Sequence, residues 1–175
     1  MQWMQSGLPL LGGRTSVRWL GSTAVEMVLS DPKPPFSRVT LVIFLEPRDL
    51  PWWPVARALG RRDLLIIRGT LRRAPAVEFE VFEAGSWSER DALPRLPRSW
   101  SARKGEQSVH YDGTTALERA DALLERAKDA ALAVKRLSLR RSEPHLQLHV
   151  PLPDRQRPAH EFFEAFHLLA EFALR

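Results

Sequence analysis

Arginine and tryptophan are the residues whose types and spacing suit chemistry here, and that chemistry is contact with a polyanion. In the run Arg61 to Phe82, RRDLLIIRGTLRRAPAVEFEVF, Arg68, Thr70 and Arg72 alternate onto one face, and Arg73 follows. Guanidinium groups pair with phosphate, and indole rings stack on bases. Arg18 and Trp19 stand side by side near the N-terminus, and Trp52 and Trp53 form a pair between two prolines. A further stretch, Trp87 to Arg103, interleaves Trp87 and Trp100 with arginines. Each feature has a plain structural reading beside the functional one. Exposure is the normal state of arginine, and tryptophan packs in cores and interfaces.

Other chemistries have less footing. The chain has no cysteine, so disulfides and thiolate metal sites are excluded. His145 and His149 alternate onto one face of an expected strand, with His160 and His167 on a later helix. No carboxylate stands at ligand spacing beside them, so no metal centre is expected. Glu78 and Glu80 share a face and read as solvated residues on the outside of the fold. There is no phosphate-cradling glycine loop, no nucleophile elbow and no zincin helix. The expectation is a protein that is not an enzyme and carries no cofactor.

The elements that must position these residues are mostly strands. Asp63 to Arg73 and Val77 to Phe82 alternate apolar and polar residues and are joined by a short connector containing Pro75. They are expected to pair as an antiparallel hairpin, with Gly69 marking a bulge or sharp bend. Arg68 and Arg72 would then lie about 13 Å apart along one strand. Ser16 to Ser30 reads as strand, irregularity near Gly21, strand. Arg38 to Leu45 is almost wholly apolar and should be a central strand. Leu50 to Gly60 carries the Trp pair and a short helix. Ala84 to Lys104 reads as a loop. Thr114 to Leu137 keeps helical spacing, with Asp112 or Thr114 as its cap. His145 to Val150 is a strand, and Ala159 to Leu174 a second helix with a phenylalanine-rich face.

The chain of 175 residues is 44% hydrophobic, enough to bury a core, and its formal charge of +5 favours an anionic partner. No run is long and apolar enough to cross a bilayer. The N-terminus lacks a basic region before its short apolar patch, so it does not read as a signal peptide. A cytoplasmic protein without membrane contact is expected.

Residues 8–87, taken as an order of elements, are similar to the bacterial single-stranded DNA-binding proteins with an oligonucleotide-binding fold. LLGGRTSVRWLGSTAVEMVLS (Leu10 to Ser30) resembles the first long strand of that family. LPWWPVARALG (Leu50 to Gly60) resembles its W-x-x-V segment and the helix after it, here unusually short. GRRDLLIIRGTLRR (Gly60 to Arg73) is the closest match, and VEFEVFEAGSW (Val77 to Trp87) falls where the last barrel strand lies. The family's acidic C-terminal tip and glycine-rich tail have no counterpart here, nor does the family have one for residues 110–175.

The resemblance implies a small antiparallel barrel over 8–87; with a linker read over 88–109 and a helix–strand–helix extension read over 110–175, the expected fold is α+β, mainly β. That extension would pack on the barrel or form an interface in a homo-oligomer. The implied function is binding of single-stranded DNA, as in replication and repair. Its contacts would be Arg18, Trp19, Trp52, Trp53, Arg68, Arg72 and Arg73. Two other readings stand beside it. One is a protein-interaction subunit that has lost its nucleic-acid surface. The other is a carrier that closes the phenylalanine-rich helix over an apolar small molecule.

Overall fold

The structure, a computed structural model, describes residues 2–46, 51, 55, 62–153 and 157–175. The chain begins with a short helix, α1 (Gln2–Gly7), and a 3-10 turn at Leu8–Leu10. Strands β1 (Gly12–Trp19), β2 (Ala24–Pro32), β3 (Phe36–Phe44) and β4 (Leu64–Leu71) follow as an antiparallel meander. Then come β5 (Phe79–Glu83), helix α2 (Trp87–Ala92), β6 (Ser101–Arg103) and β7 (Gln107–Tyr111). Helix α3 (Thr114–Asp129), strands β8 (Arg136–Leu139) and β9 (Leu146–Pro151), and helix α4 (Ala159–Ala173) complete the described elements.

Among the described residues, nine strands form one antiparallel sheet in the order β1-β2-β3-β4-β9-β8-β5-β7-β6. The expected α+β, mainly β class is what forms. The sheet, however, has two free edges, β1 and β6, and does not close into the barrel implied by the resemblance. The expected hairpin between residues 63–73 and 77–82 also does not form. β4 pairs with β3 and β9, while β5 pairs with β7 and β8. Alternation reports that each run is a half-buried strand, but not which strand it pairs with. The units 8–87 and 110–175 thus share one sheet, because β8 and β9 lie between β4 and β5.

One face of the sheet carries the core. The cross-strand line Met27, Leu41, Ile67, Leu148, Leu137, Val81 and Val109 is apolar and buried throughout. Helix α4 lies on it with Phe162, Phe163 and Phe166 fully buried. Burying each such side chain is worth roughly 1.5–3 kcal/mol. Phe166 stacks on Phe36 of β3 with ring centroids 5.4 Å apart and planes 4° from parallel. Trp3 of α1 packs against Phe162 and Phe163. These rings fill the core between helix and sheet.

Gly69 does not mark a bulge. It pairs in regular register with Val39 and Leu146, and the irregularity lies in β3 between Phe36 and Arg38. A Cβ on Gly69 would stand 2.7 Å from the Phe36 ring, so the missing side chain is what lets Phe36 stack under α4.

Two helix readings also change. The stretch expected as a loop from Ala84 to Lys104 contains α2. Ser86 Oγ accepts the Glu89 N–H at 3.2 Å, and Glu89 Oε2 accepts the Gly85 N–H at 2.7 Å. The S-x-x-E spacing at Ser86 to Glu89 is the signal that marks this helix start. Helix α3 stops at Asp129 instead of Leu137, and it starts after Gly113 with no side-chain cap from Asp112 or Thr114. Ala131 takes φ 50°, the Leu132 N–H returns to the Ala127 carbonyl at 2.8 Å, and the Ala131 N–H to Lys128 at 2.8 Å. This is a left-handed helix stop with alanine where glycine is usual, so its sequence signal is missing. The expected short helix at Leu50 to Gly60 falls on a stretch of which only Pro51 and Val55 are described. No described helix is long and apolar enough to cross a membrane.

Candidate nucleic-acid interface on the second face of the sheet

The opposite face of the sheet holds the polar side chains of the same strands. Strand register sets Ser16, Val28, Thr40, Arg68, Gln147, Ser138, Glu80 and His110 in one cross-strand line. Arg38 lies opposite Thr70, two residues from the Thr40–Arg68 pair, so Arg38 and Arg68 are diagonal neighbours on this face. Such neighbours stand within reach of long side chains. Both arginines are exposed, and neither has a carboxylate partner among the described residues. Arg14 of β1 belongs to the same face and is exposed as well. The three cations span three strand spacings, about 15 Å across the sheet.

His149 lies beside this strip. It pairs with Ile66 and Arg136 across the sheet, and its Nε2 contacts the Gln147 amide. Burial, then the charges of Arg136 and Arg68, push its pKa down to about 3. It is therefore neutral at physiological pH, and the local positive charge is carried by arginine alone.

Toward β5 and β8 the charge is matched internally. Glu80 is 4% exposed. It accepts from Ser138 Oγ at 2.8 Å and from Arg136 Nε at 3.0 Å, with Arg140 at 3.8 Å. Glu78 accepts the Arg141 backbone N–H at 2.9 Å and lies 3.6 Å from Arg140 Nε. The expectation that Glu78 and Glu80 are solvated therefore fails for Glu80, because β8 brings a serine and an arginine onto its carboxylate. Arg140 also lies over the half-buried Trp100 ring, 4.6 Å from its centroid.

Under α2 a second polar cluster joins Ser108, His110 and Glu89. Ser108 Oγ is 3.1 Å from His110 Nε2, and Glu89 Oε1 is 3.5 Å from the same nitrogen. Burial pushes the Glu89 pKa up, but hydrogen bonds with Ser108, the Gly85 N–H and His110 outweigh it and hold the carboxyl below its usual value. The residue types are those of a hydrolase relay, but the geometry is not. A relay needs serine and carboxylate on opposite ring nitrogens. Here both meet Nε2, and Ser108 is 1% exposed. The cluster ties α2 to β7.

The expected contact residues separate. Arg68 lies on the second face with no carboxylate partner among the described residues. Arg18 shares that face, but its Nη2 is 2.8 Å from Glu26 Oε2, a partner supplied by β2. Trp19 is 59% exposed and alternates to the opposite face, beside Val17. Arg72 does not sit two alternations from Arg68 on one strand, because β4 ends at Leu71. Its Nε donates to the Phe36 carbonyl at 3.1 Å, holding the start of β3. Arg73 Nη2 donates to the Leu174 carbonyl at 3.0 Å. Trp52 and Trp53 lie outside the described residues. Arg38 and Arg14, which sequence reading did not single out, join Arg68 through strand register. Their signal was alternation within the strands 12–19 and 36–44.

The histidines do not converge. His145 Nδ1 accepts the Leu71 N–H at 2.9 Å, and His167 faces Glu171 at 3.4 Å on α4. Among the described residues no group of three His, Asp or Glu side chains is placed to hold a metal ion. A groove of about 1470 Å³ runs between the end of α3 and the length of α4. Charged residues, including Arg126, Asp129, Arg157 and Glu161, line it together with apolar ones such as Leu132, Leu168 and Phe172. Comparison with protein-family models and with curated proteins finds no match to this chain.

Proposed function

We propose that this protein is a non-enzymatic binder of single-stranded DNA whose contact surface is the second face of the sheet around Arg38 and Arg68. The observation that carries the reading is the diagonal placement of these two exposed arginines, neither of them matched by a carboxylate among the described residues. Unmatched guanidinium groups on an open sheet offer bidentate contacts to phosphate. Arg14 extends the strip toward β1, and the Arg140–Trp100 stack adds an aromatic surface at the far side. Single-strand binders combine a basic track with aromatic platforms in this way.

The test is polarisation of a labelled oligo-dT at about 50 and about 200 mM salt. Affinity should fall steeply with salt. Arg38→Ala with Arg68→Ala should flatten the slope of log affinity against log salt by about 1.4 units, from two lost phosphate contacts. Both side chains are exposed, so the thermal midpoint should stay put. No binding at low salt with micromolar protein rejects the reading. Binding with an unchanged slope in the double variant moves the surface elsewhere.

The alternative, a protein-interaction subunit that does not bind nucleic acid, is favoured by a separate feature, the edge that β1 leaves open among the described residues.

A further inference from the structure

We propose that two copies of this chain pair antiparallel through β1, with Val17 opposite Val17 of the second copy and each Trp19 seated against the groove beside the other copy's Thr15.

Among the described residues β1 ends the sheet order and pairs only with β2. It is eight residues long and exposed at every position but Gly12. Edge strands are normally blunted by short length, proline, charged side chains (lysine above all) or a bulge, and the charges on β1, Arg14 and Arg18, lie on its second face. The other edge, β6, is three residues long. β1 has no proline or lysine, and its register with β2 is regular from Arg14 to Trp19. The Leu20 N–H bonds to the Ala24 carbonyl at 2.8 Å, and Ser16 Oγ to the Val28 carbonyl at 3.4 Å. Even-numbered residues of β1 therefore turn their backbone groups toward β2. Thr15, Val17 and Trp19 send theirs outward, with no strand partner among the described residues.

The same residues carry apolar surface. Val17 is 46% and Trp19 59% exposed, and Leu20 beyond them is 40% exposed. Val17, Trp19 and Thr15 share the core-side face, and all three are exposed. Beside them lies a groove of about 160 Å³ lined by Met4, Leu8, Pro9, Thr15, Val17 and Met27.

A second copy is the occupant that fits this edge, because the strand is self-complementary in one register. A two-fold axis normal to the sheet keeps the two core-side faces on one side. Centring it on Val17 sets Trp19 opposite Thr15 of the other copy, at the groove, and Arg18 opposite Ser16. Centring it on Ser16 instead would set Arg14 opposite Arg18, and directly opposed like charges destabilise a strand pair. Centring it on Thr15 would set Val17 against Gly13 and carry Trp19 past the groove.

The absence of cysteine makes a clean test possible. The 175-residue chain should sediment as a dimer at micromolar concentration, and Val17→Lys should weaken the dimer roughly tenfold or more. Val17 is exposed in the single chain, so the circular dichroism of the variant should match the parent, while its melting temperature should lose the concentration dependence that dimerisation gives the parent. Under mild oxidation Val17→Cys should form a disulfide dimer much faster than Ser16→Cys, whose copies do not face each other in this register. Either of two results overturns the proposal. One is a monomer at every concentration, which leaves the edge bare or open to a foreign strand. The other is Ser16→Cys coupling as fast as Val17→Cys.

Discussion

At the scale of single residues, His149 links the sheet's stability to pH. Its folded pKa of about 3 lies below the ordinary value of 6.5. Below pH 6.5 the unfolded chain takes up a proton that the folded chain refuses until about pH 3. Stability from this residue is therefore complete above pH 6.5 and falls as the pH drops toward 3. At pH 4.5 the loss should be about 2–3 kcal/mol. His149→Gln should remove that part of the fall when urea midpoints at pH 7 and pH 4.5 are compared. The comparison must be made against the parent chain. The lowered Glu89 pKa also loses stabilisation in acid, as the pH falls through its folded value. Residue types gave this scale only in part. The arginines and histidines were visible in the sequence, but Arg18 is matched by Glu26 and Arg72 by a backbone carbonyl. Nothing local to those residues records such partners.

Among elements, two backbone positions invite opposite substitutions. Gly69→Ala would push a methyl group into the Phe36 ring, whose other side is held by Phe166. The expected cost is about 1–3 kcal/mol in chemical denaturation, with the fold retained. Ala131 holds φ 50° at the end of α3, a conformation that costs an ordinary residue about 1–2 kcal/mol. Ala131→Gly should relieve part of that and raise the melting temperature. A fall in melting temperature would mean that the Arg157 contacts with the Ala130 and Ala131 carbonyls, not the backbone angle, govern this turn. The elements with periodic sequence were legible. The β1–β2 hairpin, β3, β9 and α4 all lie where alternation or helical spacing places them. The end of α3 was hidden because its stop uses alanine. Helix α2 was hidden because tryptophan, serine and arginine mask a short S-x-x-E start.

For the whole molecule, strand order is what the sequence withheld. Alternation says which side of a strand is buried, but partners distant in sequence, such as Gly69 and Leu146 in the β4–β9 pair, follow only from the assembled sheet. The consequence appears during synthesis. β1 to β4 leave the ribosome as a meander that can pair at once, and β5 follows within a few residues. Yet the outer edge of β4 and the β8-facing edge of β5 stay open until Arg136 to Pro151 has been made. For that interval the nascent chain carries two unpaired edges that the finished protein covers, and such edges recruit foreign strands. A chain stopped after Val134 is held in that interval permanently. It should aggregate, and adding residues 135–175 as a separate fragment during refolding should rescue it, whereas residues 152–175 alone should not. The vulnerable moment in the life of this protein comes before its last two strands exist.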